Sequence, residues 1–183
     1  GVFVGEDDQR VLLATTDGYG FVCTVKDMKS YQRVGKAFVK VNEGAKMLAP
    51  VFYGSNRTRC AVISEKGRLL VFPLDEIREL NNGGMGVALM KLDAGETIRA
   101  VNAVDDRGVI ITGTGRGNKP REIQITKQSF EEFCLHRARK GRLIGLSWRA
   151  EAVRALPDEN AGEGGEPSGD FIIELEDQSP RLL

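Results

Sequence analysis

The chain has 183 residues and a formal net charge of zero at neutral pH, with 41% hydrophobic and 28% charged residues. This composition is ordinary for a water-soluble protein made of one domain or a run of small repeats. Because no apolar run is long enough to span a bilayer and no signal peptide opens the chain, we expect no membrane partner.

The first part of the chain predicts a β-hairpin, a basic loop and a further strand. Asp17-Gly18 joins two β-rich runs and is typical of a tight hairpin turn. The stretch Lys26–Ser30 is interpreted as a polar connection to the loop Gln32–Ala37. Strands are predicted at 11–15, 19–25, 37–41 and 47–53, the last with Pro50 favouring an edge or bulged position.

The middle of the chain predicts the same order again. The run Cys60–Ile63 turns at Gly67 and returns as Leu69–Phe72, where Pro73 ends the strand. A single helical turn is compatible with Asp75–Leu80. After a loop rich in glycine, strands are predicted at 87–92 and 98–104.

The last part predicts a third hairpin and then a less regular end. Strands are predicted at 109–112, 122–125, 143–148 and 152–156, and the loop Gly113–Pro120 is interpreted as a hairpin turn rather than a nucleotide-binding loop, because it lacks the Gly-Lys-Ser/Thr ending. Phe130, Phe133 and Cys134 follow helical spacing, so Gln128–Arg139 is the stretch most compatible with a helix. The segment 157–170 is predicted to be a flexible acidic linker, and Phe171–Leu175 to be a strand that docks on a sheet edge.

These elements form a repeat. Gly18 lies 49 residues before Gly67, which lies 48 residues before Gly115. A period of this length with hairpin content is typical of propeller-like blades. We therefore predict an all-β fold with about three blades, at 1–58, 59–107 and 108–156, followed by the linker 157–170 and a tail at 171–183 that can supply one closing strand.

The charge is unevenly distributed although its total is zero. Residues 107–154 hold 11 Lys/Arg against 4 Asp/Glu, whereas residues 155–183 hold one Arg against 8 acidic residues. A basic third repeat followed by an acidic tail indicates a polyanionic partner.

The sequence predicts no catalytic site, metal site or cofactor. The three cysteines are far apart, which excludes a complete disulfide framework and a CxxC metal site and suits a reducing cytoplasm. We expect Cys23 and Cys60 to be core residues. His136 is the single histidine, which excludes a His-based triad within one chain.

The loop motifs resemble those of the C-terminal domain of bacterial type IIA topoisomerase A subunits, over about residues 8–156. In gyrase A the corresponding box reads Gln-Arg-Arg-Gly-Gly-Lys-Gly, whereas Gln32–Ala37 lacks one Gly and ends in Ala. This shortened box, together with Gly18–Cys23, Gly67–Pro73 and Arg139–Gly145, resembles the topoisomerase IV members of the family more than gyrase A. The resemblance implies a β-pinwheel, a propeller-like disc whose blades exchange strands; family domains have five or six blades, so we expect this chain to be part of a longer protein.

The resemblance further implies a non-catalytic domain that holds and bends double-stranded DNA and so sets which DNA crossings and supercoils its parent processes. The implied partners are the catalytic core of the same polypeptide and, through it, the ATPase B subunit, in an ATP- and Mg-dependent isomerase of the bacterial cytoplasm and nucleoid. Two other interpretations remain: a propeller-like scaffold for protein interactions without DNA affinity, and a gyrase A domain that wraps DNA fully.

Cations beside glycine suit DNA, because Lys and Arg replace counterions on phosphates and glycine lets the backbone approach. An ordinary solvated surface is the alternative for these charges, and the repeat together with the resemblance of the box favours DNA. The glycine loop Gly83–Gly86 carries no Lys or Arg, so we expect little DNA contact there. The predicted DNA-binding residues are Arg33, Lys36, Arg116, Lys119, Arg121, Arg137, Arg139, Lys140 and Arg142.

Overall fold

The computed structural model describes residues 6–33, 37–157 and 172–175, and for residues 32, 33 and 172–175 it describes the backbone alone. None of the helices in these ranges is long and apolar enough to cross a membrane. The sequence motif Gln32–Ala37 lies largely outside them.

The described residues form three four-stranded antiparallel sheets. The strands are, in chain order, β1 (Arg10–Ala14), β2 (Tyr19–Thr24), β3 (Val51–Tyr53), β4 (Arg59–Ser64), β5 (Arg68–Pro73), β6 (Val87–Ala88), β7 (Ile98–Val104), β8 (Gly108–Thr114), β9 (Pro120–Thr126), β10 (Arg142–Leu143), β11 (Arg149–Ala155) and β12 (Ile172–Leu175). The first sheet has the order β3-β1-β2-β6, the second β10-β5-β4-β7 and the third β11-β8-β9-β12. The prediction of an all-β propeller-like fold is confirmed.

Each sheet is built on a hairpin, as the repeat predicts. The hairpins are β1–β2, β4–β5 and β8–β9. Gly18 has a φ of 95° and Gly67 a φ of 78°, so both predicted turn glycines are in the left-handed region. Only glycine adopts this conformation without strain, so these two residues determine where the chain reverses.

The sheets exchange strands along the chain. The fourth strand of the first sheet, β6, follows the second hairpin, and the fourth strand of the second sheet, β10, follows the third hairpin. In the third sheet the tail strand β12 takes this position beside β9. Since a sheet draws strands from more than one repeat, the blade boundaries drawn along the sequence remain predictions.

The core lies between the sheets and follows the alternation of the hairpin strands. In β4, Cys60 and Val62 pack toward the first sheet, and Ala61 and Ile63 pack toward the third. All four side chains are fully buried. Each large apolar side chain buried in this way stabilises the fold by about 1.5–3 kcal/mol. Because β4 is a central strand and is buried on both faces, its sequence is a continuous apolar run.

The predicted core cysteines are confirmed. Cys23 and Cys60 are fully buried in the strands of the first two hairpins. Burial, aided by the charges of Asp27 and Glu79, raises the pKa of the Cys23 thiol to about 12. Both thiols are therefore packing groups rather than nucleophiles.

The two helices differ from the sequence interpretation. The stretch read as a polar connection forms α1 (Val25–Arg33). Its first turn is capped reciprocally: the Thr24 amide donates to Asp27 Oδ2 at 3.0 Å, and the Asp27 amide donates to Thr24 Oγ1 at 3.3 Å. This is a capping box, a local pattern that outweighs the polar composition.

The helix expected over Gln128–Arg139 is wrong in length, because α2 spans only Lys127–Glu131. Phe130 and Phe133 are buried as their spacing indicates. The chain then leaves the helix to pair with the second sheet: Val71 donates its amide to Phe133 O at 2.9 Å, and Leu135 donates to Val71 O at 2.8 Å. Sheet hydrogen bonds therefore replace further helical turns.

Candidate nucleic-acid interface

Two glycine-containing loops precede the outer strands β6 and β10. We call residues 81–86 the second box loop and residues 136–141 the third box loop; the first box loop is the predicted motif Gln32–Ala37. Arg33 is the last residue of α1, its side chain is outside the described part of the structure, and Lys36 lies outside the described residues altogether.

Each described box loop is fixed to the segment that follows the preceding box loop. Gly84 donates its amide to Phe38 O at 2.9 Å, and Lys40 donates its amide back to Gly84 O at 2.8 Å. The third box loop repeats this pattern one sheet further on: Ala138 donates to Leu89 O at 2.9 Å, and the Lys91 amide donates to Arg139 O at 2.9 Å. A corresponding pair of backbone hydrogen bonds, made by Gly84 in one loop and by Ala138 and Arg139 in the other, therefore sets successive box loops in a row across the sheets.

A glycine at the end of each loop permits this row. Gly86 and Gly141 have φ values of 87° and 80°. A Cβ at Gly86 would lie 2.0 Å from Gly20 O, and one at Gly141 would lie 2.8 Å from Leu69 O. Both distances are far inside van der Waals contact, so only glycine lets the loop return to the edge of the sheet.

The row lies at the hairpin-turn end of the sheets. Leu89 donates its amide to Gly18 O at 2.6 Å, and Ile144 donates to Gly67 O at 3.0 Å. Arg149, five residues after Ile144, pairs with Thr114 beside the third hairpin turn. Five residues span about 18 Å at most, so the second and third hairpin turns are close neighbours.

The third box loop presents free positive charge. Arg139 and Arg142 are exposed, and neither guanidinium has a hydrogen-bond or ion-pair partner among the described residues. Lys140 is also exposed, but its Nζ lies 3.1 Å from Asp93 Oδ1. Of these three predicted contacts, two are available to a ligand at once and one is engaged within the protein.

Arg137 points inward, unlike its neighbours. Its Nη1 donates to Ala88 O at 2.7 Å, and its backbone amide donates to Glu76 Oε1 at 2.9 Å. His136 is exposed, and its Nδ1 lies 3.1 Å from Glu76 Oε2. Burial opposes ionisation of Glu76, but the hydrogen bonds from the Arg137 amide and His136 outweigh it and lower the Glu76 pKa. Arg137 and Glu76 therefore hold the third box loop against the first sheet.

The third hairpin contributes the remaining predicted residues. Gly113–Pro120 is a hairpin as interpreted, with the tip at residues 115–119 between β8 and β9. Arg116 is exposed and has no side-chain partner among the described residues, and Lys119 is exposed as well. Arg121 instead packs over Gly115, where a Cβ would lie 2.8 Å from its Nε. The tip itself thus carries exposed cations.

Four further cations at this end of the sheets were not among the predicted residues. Lys40 and Lys91 follow the first and second box loops, are exposed and have no side-chain partner among the described residues. Both lie five residues after a glycine of a box loop, Gly35 or Gly86, so an alignment of these two repeats in the sequence finds them. Lys66 and Arg68 flank the second hairpin turn and lie 3.2 and 3.8 Å from Asp93.

The structure supplies no metal-binding cluster in its described part, where no group of three His, Cys, Asp or Glu residues could hold an ion. The box loops instead form a row whose available hydrogen-bond donors are Lys and Arg side chains. Such a row can bind a polyanion through its charges, with the spacing of the sheets setting the spacing of the contacts.

Comparisons with known proteins agree with this arrangement. Residues 9–51 and 60–105 match the family described as the DNA gyrase C-terminal domain, a β-propeller. The A subunit of DNA topoisomerase 4 from Escherichia coli K12 is 29% identical over 161 residues, which are 86% of this chain and 21% of that protein. Its counterpart from Haemophilus influenzae is 26% identical over 164 residues, or 85% of this chain and 21% of that protein. The chain thus spans about a fifth of the length of these relatives.

Solved structures agree on the fold. The E. coli ParC C-terminal domain matches with a TM-score of 0.68 and 24% identity, over 82% of this chain and 61% of that chain. A topoisomerase IV C-terminal domain matches with a TM-score of 0.67 and 17% identity, over 95% and 54%. The predicted resemblance is confirmed: the chain is similar to the DNA gyrase C-terminal domain family, and its relatives include the A subunits of bacterial topoisomerase IV.

Proposed function

We propose that this chain is a non-catalytic domain that binds and bends duplex DNA for a topoisomerase IV-like parent, and thereby influences which DNA crossings and supercoils the parent processes. The observation that carries the proposal is the repeated hydrogen-bond pair that sets the box loops in a row. Its partners would be double-stranded DNA, the catalytic core of the same polypeptide and, through it, the ATPase B subunit in the bacterial cytoplasm.

The row explains how DNA would be held. Exposed cations without a side-chain partner in the described part of the chain lie along successive sheets, at Arg139, Arg142, Lys91 and Lys40. Each Lys or Arg that meets a phosphate releases a condensed counterion, so affinity accumulates along the row and falls with salt. Smooth bending of a 20–30 bp site by 40–90° costs about 1–6 kcal/mol, which several such contacts can offset.

Sequence-specific reading of DNA is not part of the proposal. The contributing side chains are Lys and Arg on loops and hairpin turns, whereas base readout usually requires a helix or ribbon inside a groove. We therefore expect similar affinity for duplexes of different sequence.

A DNA-wrapping domain of the gyrase A type is the second candidate. The composition of the second box loop disfavours full wrapping. Its residues Gly83–Gly86 contain no cation, and Lys40 and Lys91 carry positive charge after the first and second box loops. A loop without cations interrupts the row of positive charge, which favours bending of the DNA over full wrapping.

The function is tested by gel-shift titration of random-sequence duplexes at two salt concentrations, followed by closure of nicked circular DNA in the presence of the chain. The proposal expects salt-dependent binding without sequence preference and only a small change in linking number. Absence of salt-dependent binding would support a protein-interaction scaffold instead, and a large change in linking number would support wrapping.

A further inference from the structure

Three cations from two different parts of the chain converge on one carboxylate. Asp93 Oδ1 lies 3.1 Å from Lys140 Nζ, and Asp93 Oδ2 lies 3.2 Å from Lys66 Nζ. The Arg68 guanidinium lies 3.8 Å from the same Oδ2. Lys66 and Arg68 flank the second hairpin turn, whereas Lys140 belongs to the third box loop, which Ile144 ties to the turn through Gly67 O.

Hydrogen bonds within the turn fix the position of Asp93 in this cluster. The Asp93 amide donates to Glu96 Oε1 at 2.9 Å, and the Glu96 amide donates to Asp93 O at 3.0 Å, which fixes the turn that carries Asp93. The Glu96 side chain is fully buried, and its Oε2 lies 3.8 Å from Arg68 Nε. The geometry of Asp93 is therefore determined by buried protein structure, while its carboxylate remains about one third exposed at 37%.

The cluster also has unused donors. Arg68 Nε is buried and has no hydrogen-bond partner among the described residues. Its separation of 3.8 Å from Glu96 Oε2 is beyond hydrogen-bonding distance. The side chains of Lys66 and Lys140 are about half exposed, at 47% and 46%. Three cations against two carboxylates leave a net positive charge that one further anion would complete.

We propose that Lys66, Arg68 and Lys140 form a binding site for one backbone phosphate of duplex DNA, and that in the free protein Asp93 occupies the place of that phosphate. The inference rests on the proposed DNA-binding function and adds a regulated contact to it. A phosphate that enters must take the two lysines from Asp93, so the carboxylate weakens DNA binding at this position while keeping the cations in place.

The test compares Asp93→Asn with Asp75→Asn in binding to a random-sequence duplex over a range of salt. Both substitutions add the same charge, but Asp75 is exposed, has no side-chain partner among the described residues and follows β5 at the end opposite the hairpin turn. Freeing one phosphate contact should steepen the slope of log K against log salt by about 0.9. If the contact contributes nothing at 1 M salt, binding at 0.1 M salt should tighten about 8-fold. Asp75→Asn should change neither quantity appreciably, because the Debye length at that salt is about 10 Å.

A second comparison does not depend on the folding of Asp93→Asn. Lys140→Ala should weaken DNA binding clearly less than Arg139→Ala in the otherwise unaltered chain, because Lys140 is already engaged by Asp93 and Arg139 is not. Where Asp93→Asn folds, adding Lys140→Ala to it should cost a full contact.

Equal losses for Lys140→Ala and Arg139→Ala, or a folded Asp93→Asn variant that binds no more tightly than Asp75→Asn, would overturn the inference and leave the proposed function standing. If the unaltered chain shows no salt-dependent duplex binding, the proposed function and the inference fall together.

Discussion

Removal of two exposed guanidinium groups, Arg139 of the third box loop and Arg142 at the start of β10, is the perturbation whose effect follows most directly from the geometry. Arg139 and Arg142 are exposed, on either side of Gly141, and have no partner among the described residues. The double variant Arg139→Ala/Arg142→Ala therefore removes two potential phosphate contacts without breaking an internal interaction.

The magnitude follows from counterion release. Each lost contact should flatten the slope of log K against log salt by about 0.9, so the double variant should flatten it by about 1.8. If a contact contributes nothing at 1 M salt, its loss at 0.1 M weakens binding about 8-fold, and the loss of both weakens it about 60-fold. The effect should be the same for duplexes of different sequence.

Fluorescence anisotropy with a labelled duplex at several salt concentrations measures both quantities. The matched control is Lys26→Ala/Arg78→Ala, which removes the same charge from two exposed residues that follow β2 and β5 at the end opposite the hairpin turns. A folded Arg139→Ala/Arg142→Ala variant with the slope and affinity of this control would refute the assignment of the third box loop to the DNA path.

Three further predictions concern the structure that supports the loops. Arg137→Leu should lower the free energy of unfolding by about 1–3 kcal/mol in urea titrations, because Ala88 O loses its donor, while Arg139→Leu should leave stability unchanged; equal effects would refute the positioning role. Gly67→Ala should cost about 1–2 kcal/mol through its φ of 78° alone, whereas Gly86→Ala should cost clearly more because its Cβ would meet Gly20 O; similar losses would contradict the close approach. Burial opposes ionisation of Asp105, but the hydrogen bonds and charge of Arg107 lower its pKa, so its stabilisation is present above the unfolded-state pKa of about 4 and is lost as pH falls through the folded-state value. The stability difference between the unaltered chain and Asp105→Asn should therefore shrink between neutral pH and pH 3, and a constant difference would show that the ion pair is not responsible.

The hairpins were predictable because their determinants are local. Asp17-Gly18 and Lys66-Gly67 each lie between apolar runs, and the left-handed φ of the glycine follows from turn geometry. The spacing between them then gave the repeat and the fold class. Helices were predicted less well, since α1 depends on a four-residue capping box and α2 ends where pairing with Val71 begins. A contact between distant strands cannot be read from helical spacing.

The candidate site was predictable in its charge but not in the direction of its side chains. The sequence places Arg137, Arg139 and Arg142 in one basic loop, and only the fold shows that Arg137 donates to Ala88, 49 residues earlier. The engagement of Lys140 by Asp93 is likewise a contact between repeats. By contrast, Lys40 and Lys91 recur at the same position after a box glycine, so a comparison of repeats finds them without a structure.

The central claim is that duplex DNA follows the row of box loops at the hairpin-turn end of the sheets, and lysine footprinting tests it most directly. The full chain is labelled briefly with an amine-reactive reagent, with and without saturating random-sequence duplex at low salt, and each lysine is quantified by mass spectrometry. Lys40 and Lys91, which are exposed on the row, should be protected by DNA, whereas Lys26, exposed on α1 at the other end of the sheets, should react at an unchanged rate. Protection of Lys26 with Lys40 and Lys91 left fully reactive would contradict the account.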